Sequence, residues 1–201
     1  MTTADGTITA RRRRADARRN HDLLVAVARE TFAESGPDAS LNEIARRAGV
    51  GPGTLYRHFP NRAALLTAVL RDRVDTLCGH AERLLSADSP DGALTEWLHA
   101  FLIHARVNQG LGSALMIEGQ EAQGFDCHRA IQEAAAALLA RAQRAGTARA
   151  DLTAGDLLQL VVGIALSTVR SDDDPGQPDR LLALVLDAVH APPRASATRR
   201  R

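Results

Sequence analysis

Residues 49–60 read GVGPGTLYRHFP, and this punctuation constrains the chain more than any other stretch. Glycine and proline end regular structure, whereas Thr54, Leu55, Tyr56, Arg57 and His58 form a helix readily. Breakers on both sides of so few residues permit one short helix, entered through a tight turn. Pro52 suits its first position, where the missing N–H does no harm. Just upstream, Ser40-Leu-Asn-Glu43 has the spacing of a capping box: the Ser40 hydroxyl accepts from the Glu43 amide while the Glu43 side chain reaches back. The helix it opens, about 41–48, puts Leu41, Ile44, Ala45 and Ala48 on one side and Arg46 on the other. Gly49 supplies the positive φ of the exit. Two short helices joined by a glycine turn, after a longer amphipathic helix, make a helix-turn-helix. Val50 and Leu55 fill the crossing. The second helix of such a motif enters the DNA major groove, so the breakers serve to set Tyr56, Arg57 and His58 against an anionic partner.

The remainder predicts only helices. Ala, Leu and Arg are abundant, aromatic residues make up 3% of the chain, and no run alternates as a strand would. The fold class is all-α, with about nine helices. The first runs from Ala15 to a stop at Gly36-Pro37, with Leu23, Leu24, Val27, Ala28, Thr31 and Phe32 on one face. Residues 1–14, ending in RRRR, read as a disordered basic arm. Asn61 caps a fourth helix with Leu65, Leu66, Val69, Leu70, Val74 and Leu77 in a stripe. Leu94, Trp97, Leu98, Phe101, Leu102 and Ala105 share a face of the next. Breaks are expected at 108–112 and 119–124, a helix at 130–144, and two more at about 152–170 and 180–190. That last pair is apolar nearly all round, so a second surface, such as another subunit, is needed to cover it.

Charge is distributed unevenly. Residues 1–62 hold 11 Arg against 7 acids, a balance of +4; residues 63–190 hold 10 Arg against 17 acids, a balance of −7; the last eleven add 4 Arg and no acid. A basic head is the footprint of nucleic-acid binding. Cys78 and Cys127 have no C-x-x-C spacing, and a reducing compartment suits them. The N-terminus lacks a signal-peptide pattern and no apolar run reaches the roughly 18 residues of a membrane span, so a cytoplasmic location and no membrane partner are expected. His99 and His104 lie roughly 140° apart around a helix, which offers no chelate, and neither phosphate-loop nor hydrolase motifs occur. No metal, cofactor or catalysis is expected.

The stretch SLNEIARRAGVGPGTLYRHFPNRAALL, Ser40 to Leu66, closely resembles the DNA-binding signature of the TetR family of transcriptional regulators. Ile44, Ala45, Ala48, Gly49, Val50, Gly53, Thr54, Tyr56, His58, Phe59 and Arg62 match it without a gap. The resemblance implies a head at 15–62 and a larger helical effector-binding and dimerisation domain at 63–190, followed by a basic tail at 191–201. It also implies a homodimer that reads a palindromic operator in double-stranded DNA, usually as a repressor, and is released by a small molecule. Carried over by position, Ser40, Thr54, Tyr56, His58 and Arg62 contact phosphates, while Gly51, Pro52, Gly53 and Arg57 lie at or near base edges. Gly51 stands where the family often has Ser or Thr, so one hydroxyl contact is missing; Arg62 replaces a frequent Lys and still donates to phosphate. By the same analogy Trp97, Phe101, His104, Met116, Gln120 and Phe125 line the effector pocket, and the last two helices form the dimer interface. Two other readings stay open: a helical carrier or enzyme whose basic N-terminus serves solubility, and a regulator governed by a protein partner.

Overall fold

The computed structural model describes residues 3–117, 127–168 and 174–190, with side chains described from Ala15 to Asn108 in the first stretch. Eight α-helices are found among them: α1 (Thr3–Ser35), α2 (Leu41–Arg47), α3 (Pro52–His58), α4 (Arg62–Leu84), α5 (Pro90–Ile117), α6 (Cys127–Arg144), α7 (Ala154–Ser167) and α8 (Gln177–His190). The chain is all-α, as the sequence predicts. Two compact units are present, a head centred on Met1–Asp72 and a body on Arg73–Gln109 with α6, α7 and α8.

The head has one core. Leu24, Ala28 and Phe32 of α1 meet Ile44 and Ala45 of α2, Leu55 of α3, Phe59, and Leu65, Leu66 and Val69 of α4. Those α4 residues explain why the unit boundary falls at Asp72 and not at the expected 62: the first half of α4 packs into the head. The buried face of α1 is also rotated from the expected one. Val25 and Thr31 are buried, while Leu23 is 44% exposed. α1 itself begins at Thr3, so residues 3–14 are helical and not the disordered arm expected from their polarity; alanine and arginine are both strong helix formers. Gly36, at φ +77°, ends the helix.

The body core joins Leu77 and Ala81 of α4, Trp97, Leu98 and Phe101 of α5, Leu138 and Leu139 of α6, Leu157 and Val161 of α7, and Leu182 and Leu186 of α8. Arg141 of α6 donates to the carbonyls of Leu84 and Ala87. The Arg149 amide donates to the Val189 carbonyl at 3.0 Å, tying the α6–α7 connection to α8. The break expected at 108–112 is absent, because α5 runs through it and so brings the helix count down. Interior glycines cost only about 1 kcal/mol each, which the helix formers around Gly110 and Gly112 offset. The break at 119–124 lies outside the described residues. A full capping box occurs where none was expected: Thr153 accepts from the Asp156 amide at 3.2 Å while Asp156 accepts from the Thr153 amide at 3.0 Å. None of the described helices is long and apolar enough to cross a membrane.

The apolar circumference of α7 is only half covered by its own chain. Leu157, Leu158, Val161, Ile164 and Ala165 are buried, but Leu160 and Leu166 are half or more exposed, and so is Leu184 of α8.

Candidate nucleic-acid interface

The local chemistry of residues 40–62 builds a stiff wedge. Ser40 caps α2, its Oγ accepting from the Glu43 amide at 3.5 Å. The return half of the expected capping box is not made. Glu43 turns instead to Arg46, taking Nε and Nη2 at 2.8 and 2.7 Å, because a bidentate ion pair one turn away outcompetes a single bond to an exposed amide. Gly49 takes φ +68°, a conformation costing any L side chain about 1–2 kcal/mol. The chain then crosses to Gly51, which caps α3 with no side-chain hydrogen bond, as its missing hydroxyl dictates. The Thr54 amide closes the turn on the Gly51 carbonyl at 2.9 Å.

α3 has two unlike sides. Leu55 is fully buried and fixes the helix against the head core. Pro52, Gly53, Tyr56 and Arg57, at i, i+1, i+4 and i+5, are all exposed, and Thr54 is half-buried. A Cβ built on Gly51 or Gly53 meets nothing within 4 Å, so the outer surface is bare backbone flanked by one phenol and one guanidinium. Arg57 Nε donates to the Gly53 carbonyl at 3.1 Å, which lays its side chain along α3. His58 is half-buried, its ring 6.2 Å from that of His21 on α1. Phe59 belongs to the core, 3% exposed.

Arg62 is less simply placed. Its Nη1 donates to the carbonyls of Pro37 and Ala39 at 2.7 and 2.6 Å, anchoring the α1–α2 connection to the start of α4. That role was not legible in the motif. Asn61 caps α4 as expected, its Oδ1 accepting from the Ala64 amide at 2.8 Å. Other arginines of the basic head are paired within it: Arg46 with Glu43, and Arg47 with Glu34 and Thr31. The hydrogen bond from Arg47 holds the Glu34 carboxyl below its ordinary range, and that from Arg46 does the same for Glu43. The positive balance of residues 1–62 therefore overstates the charge offered to a partner.

In the body, three rings follow one stripe of α5. Trp97 stacks on Phe101 at 5.6 Å with planes 5° apart, and Phe101 on His104 at 6.3 Å and 20°. Trp97 Nε1 donates to the Leu77 carbonyl at 3.1 Å, so Trp97 and Phe101 are core residues whatever else they do. Asn108 continues the stripe, its amide nitrogen 3.0 Å from each ring nitrogen of His104, and Arg73 of α4 donates to its Oδ1 at 2.6 Å. Sequence reasoning found neither Arg73 nor Asn108, which lie on different helices with no shared motif. Met116 lies on α5 with its side chain outside the description, and Gln120 and Phe125 lie outside the described residues. Among those residues no three His, Cys, Asp or Glu side chains cluster to hold a metal ion.

Burial, and then the charge of Arg73, push the His104 imidazole down to about 4 from an ordinary value of 6.5. A folded value below the unfolded one means that the stabilisation is whole above pH 6.5 and is lost as pH falls toward 4. Between pH 7 and pH 4.5 the protein should lose about 2 kcal/mol more of unfolding free energy than its His104→Phe variant does. Urea titrations of both at the two pH values measure this, and parallel losses would show that His104 protonates freely in the fold.

A model of the N-terminal domain of bacterial regulatory proteins of the tetR family matches residues 24–69, and one for the C-terminal domain of SbtR-like transcriptional regulators matches residues 89–191. The uncharacterized HTH-type transcriptional regulator TtgW of Pseudomonas putida is 30% identical over 125 residues, which span 61% of this chain and 92% of that protein. Among solved structures, a TetR transcriptional regulator of Streptomyces coelicolor shares 40% identity at a TM-score of 0.74, over 85% of this chain and 98% of that one. A TetR transcription regulatory protein of Mycobacterium vanbaalenii shares 37% at 0.72, over 89% and 99%.

Proposed function

The chain belongs to the TetR family of DNA-binding transcriptional regulators, and from that premise we propose that it is a homodimeric repressor that binds a palindromic operator and is released by a small molecule. The observation that carries the DNA half of this reading is the two-sided α3. One face is locked by Leu55, and the other offers Tyr56 and Arg57 beside bare Gly51 and Gly53 backbone. Such a surface lets a helix settle deep in a major groove, with its side chains at base edges and phosphates. In this reading Ser40, Thr54, Tyr56, His58 and the remaining donors of Arg62 hold phosphates, while Pro52 and Arg57 lie at the bases. Dimerisation is supported by the exposed Leu160 and Leu166 of α7 and Leu184 of α8, which a second copy would cover. The effector side rests on the stripe from Trp97 to His104.

Selection of tight-binding duplexes from a random pool, at near-physiological salt, tests the whole reading. The wild type should enrich a palindrome whose half-sites lie about one DNA turn apart. A Leu166→Asp/Leu184→Asp double variant should sediment as a monomer and enrich no palindrome. No enrichment by a folded, dimeric wild type would remove the regulatory reading and leave a helical ligand-binding protein.

A further inference from the structure

The polar groups that end the aromatic stripe of α5 do not balance. Arg73 contributes a guanidinium, Asn108 an amide NH2 and His104, neutral, one ring N–H; against these donors stand one amide oxygen and one imidazole lone pair. With Arg73 donating to the Asn108 oxygen at 2.6 Å, the amide NH2 faces the imidazole, 3.0 Å from both nitrogens. A neutral imidazole accepts at only one of them, so its own N–H meets a group that cannot accept it. Turning the amide over relieves His104 but sets NH2 against the guanidinium. In either orientation one donor is left over, and the charge of Arg73 adds to the excess. Among the described residues, His104 has no other hydrogen-bond partner. A half-buried donor without an acceptor is costly, on the order of 1–3 kcal/mol, and the missing component is an acceptor.

Resting on the regulatory reading for its role as effector, we propose that the ligand of this body carries a hydrogen-bond-accepting head, a carbonyl or carboxylate, on a flat apolar frame. Arg73 and His104 hold the head, Asn108 orients the two, and the frame lies along the stripe beside Phe101. Three features point the same way. The aromatic planes of Trp97, Phe101 and His104 are nearly parallel, which suits a flat partner. Burial rises along the stripe from His104 to Trp97, so the head takes the polar end and the frame the apolar one. The acidic balance of the rest of the body does not reach this spot, where the local charge is that of Arg73.

The test uses the full-length protein and three probes of one shape: 2-naphthoate, 2-naphthylmethanol and 2-naphthylmethylammonium. Trp97 is the single tryptophan of the chain, so one indole N–H resonance in a proton–nitrogen correlation spectrum reports on the stripe. The carboxylate should shift it with a dissociation constant about 10- to 100-fold below that of the ammonium, the scale of one charge-assisted hydrogen bond, and the alcohol should fall between them. Arg73→Met should bring the carboxylate to the level of the alcohol, and Arg73→Lys should restore part of the difference, with melting curves confirming that both variants fold. An ammonium probe that binds as tightly as the carboxylate, no shift with any probe, or a folded Arg73→Met that leaves the carboxylate unaffected would each overturn the proposal. Titrating the selected operator in parallel separates the two ideas. Binding in the expected order without loss of operator affinity upholds the site and removes the repressor-release reading.

Discussion

Trp97→Ala should lower the unfolding free energy by about 3–5 kcal/mol, the range for deleting a buried aromatic side chain. The ring is fully enclosed, lies flat on Phe101, and donates to the Leu77 carbonyl across two helices. Alanine removes the area, the stacking and the tie from α5 to α4 together, and the surrounding Leu98 and Leu138 cannot close the hole completely. A typical domain has about 5–15 kcal/mol in total, so the variant would stand near its limit at ordinary temperature. Trp97→Phe keeps most of the packing and loses the N–H bond, for a smaller deficit of about 1–2 kcal/mol. Urea midpoints for the three proteins measure both effects. A loss below about 1 kcal/mol for alanine would show that the ring borders open space instead of packed side chains.

Tyr56→Ala should behave in the opposite way, leaving the melting curve in place while operator affinity falls roughly 10- to 100-fold, which corresponds to about 1.4–2.7 kcal/mol. Tyr56 is 47% exposed, and the residue that holds α3 to the head is its neighbour Leu55. Tyr56→Phe then divides the loss between the hydroxyl, as a phosphate donor, and the ring, as a spacer. Leu55→Ala provides the contrast, since it empties the head core and should lower stability and affinity together. Fluorescence anisotropy of labelled operator, set beside thermal melts, reads all three. A folded Tyr56→Ala with wild-type affinity would move the contact surface away from α3.

The head was largely legible because its constraints are local. Gly49 has to turn, Pro52 has to start a helix, Leu55 has to point inward between polar neighbours, and each requirement is met within a few residues of chain. Local reasoning failed where two local partners competed: Glu43 had both the Ser40 amide and Arg46 within reach, and no spacing rule ranks them. It failed again where tertiary packing set the phase, as with Leu23, which fits the periodicity of α1 yet lies in solvent while Val25 is buried. Glycine content misled at 108–112, where one continuous α5 outweighs the cost of two interior glycines. The body site was only half visible. Trp97, Phe101 and His104 stand at helical spacing and announce a stripe, but Arg73 reaches Asn108 across 35 positions of sequence, and no pattern in a single chain pairs them.

The chain has a single tyrosine and a single tryptophan, and the fold sends Tyr56 to the outer face of the head and Trp97 to the centre of the body. Each compact unit thus carries its own chromophore, one wet and one dry. Selective excitation of the indole follows the body alone, with the blue-shifted emission of an enclosed ring, while phenol emission follows the surface offered to DNA. Whether the two units melt as one or in sequence is therefore an optical question that the unmodified protein can answer, with no label added to either half.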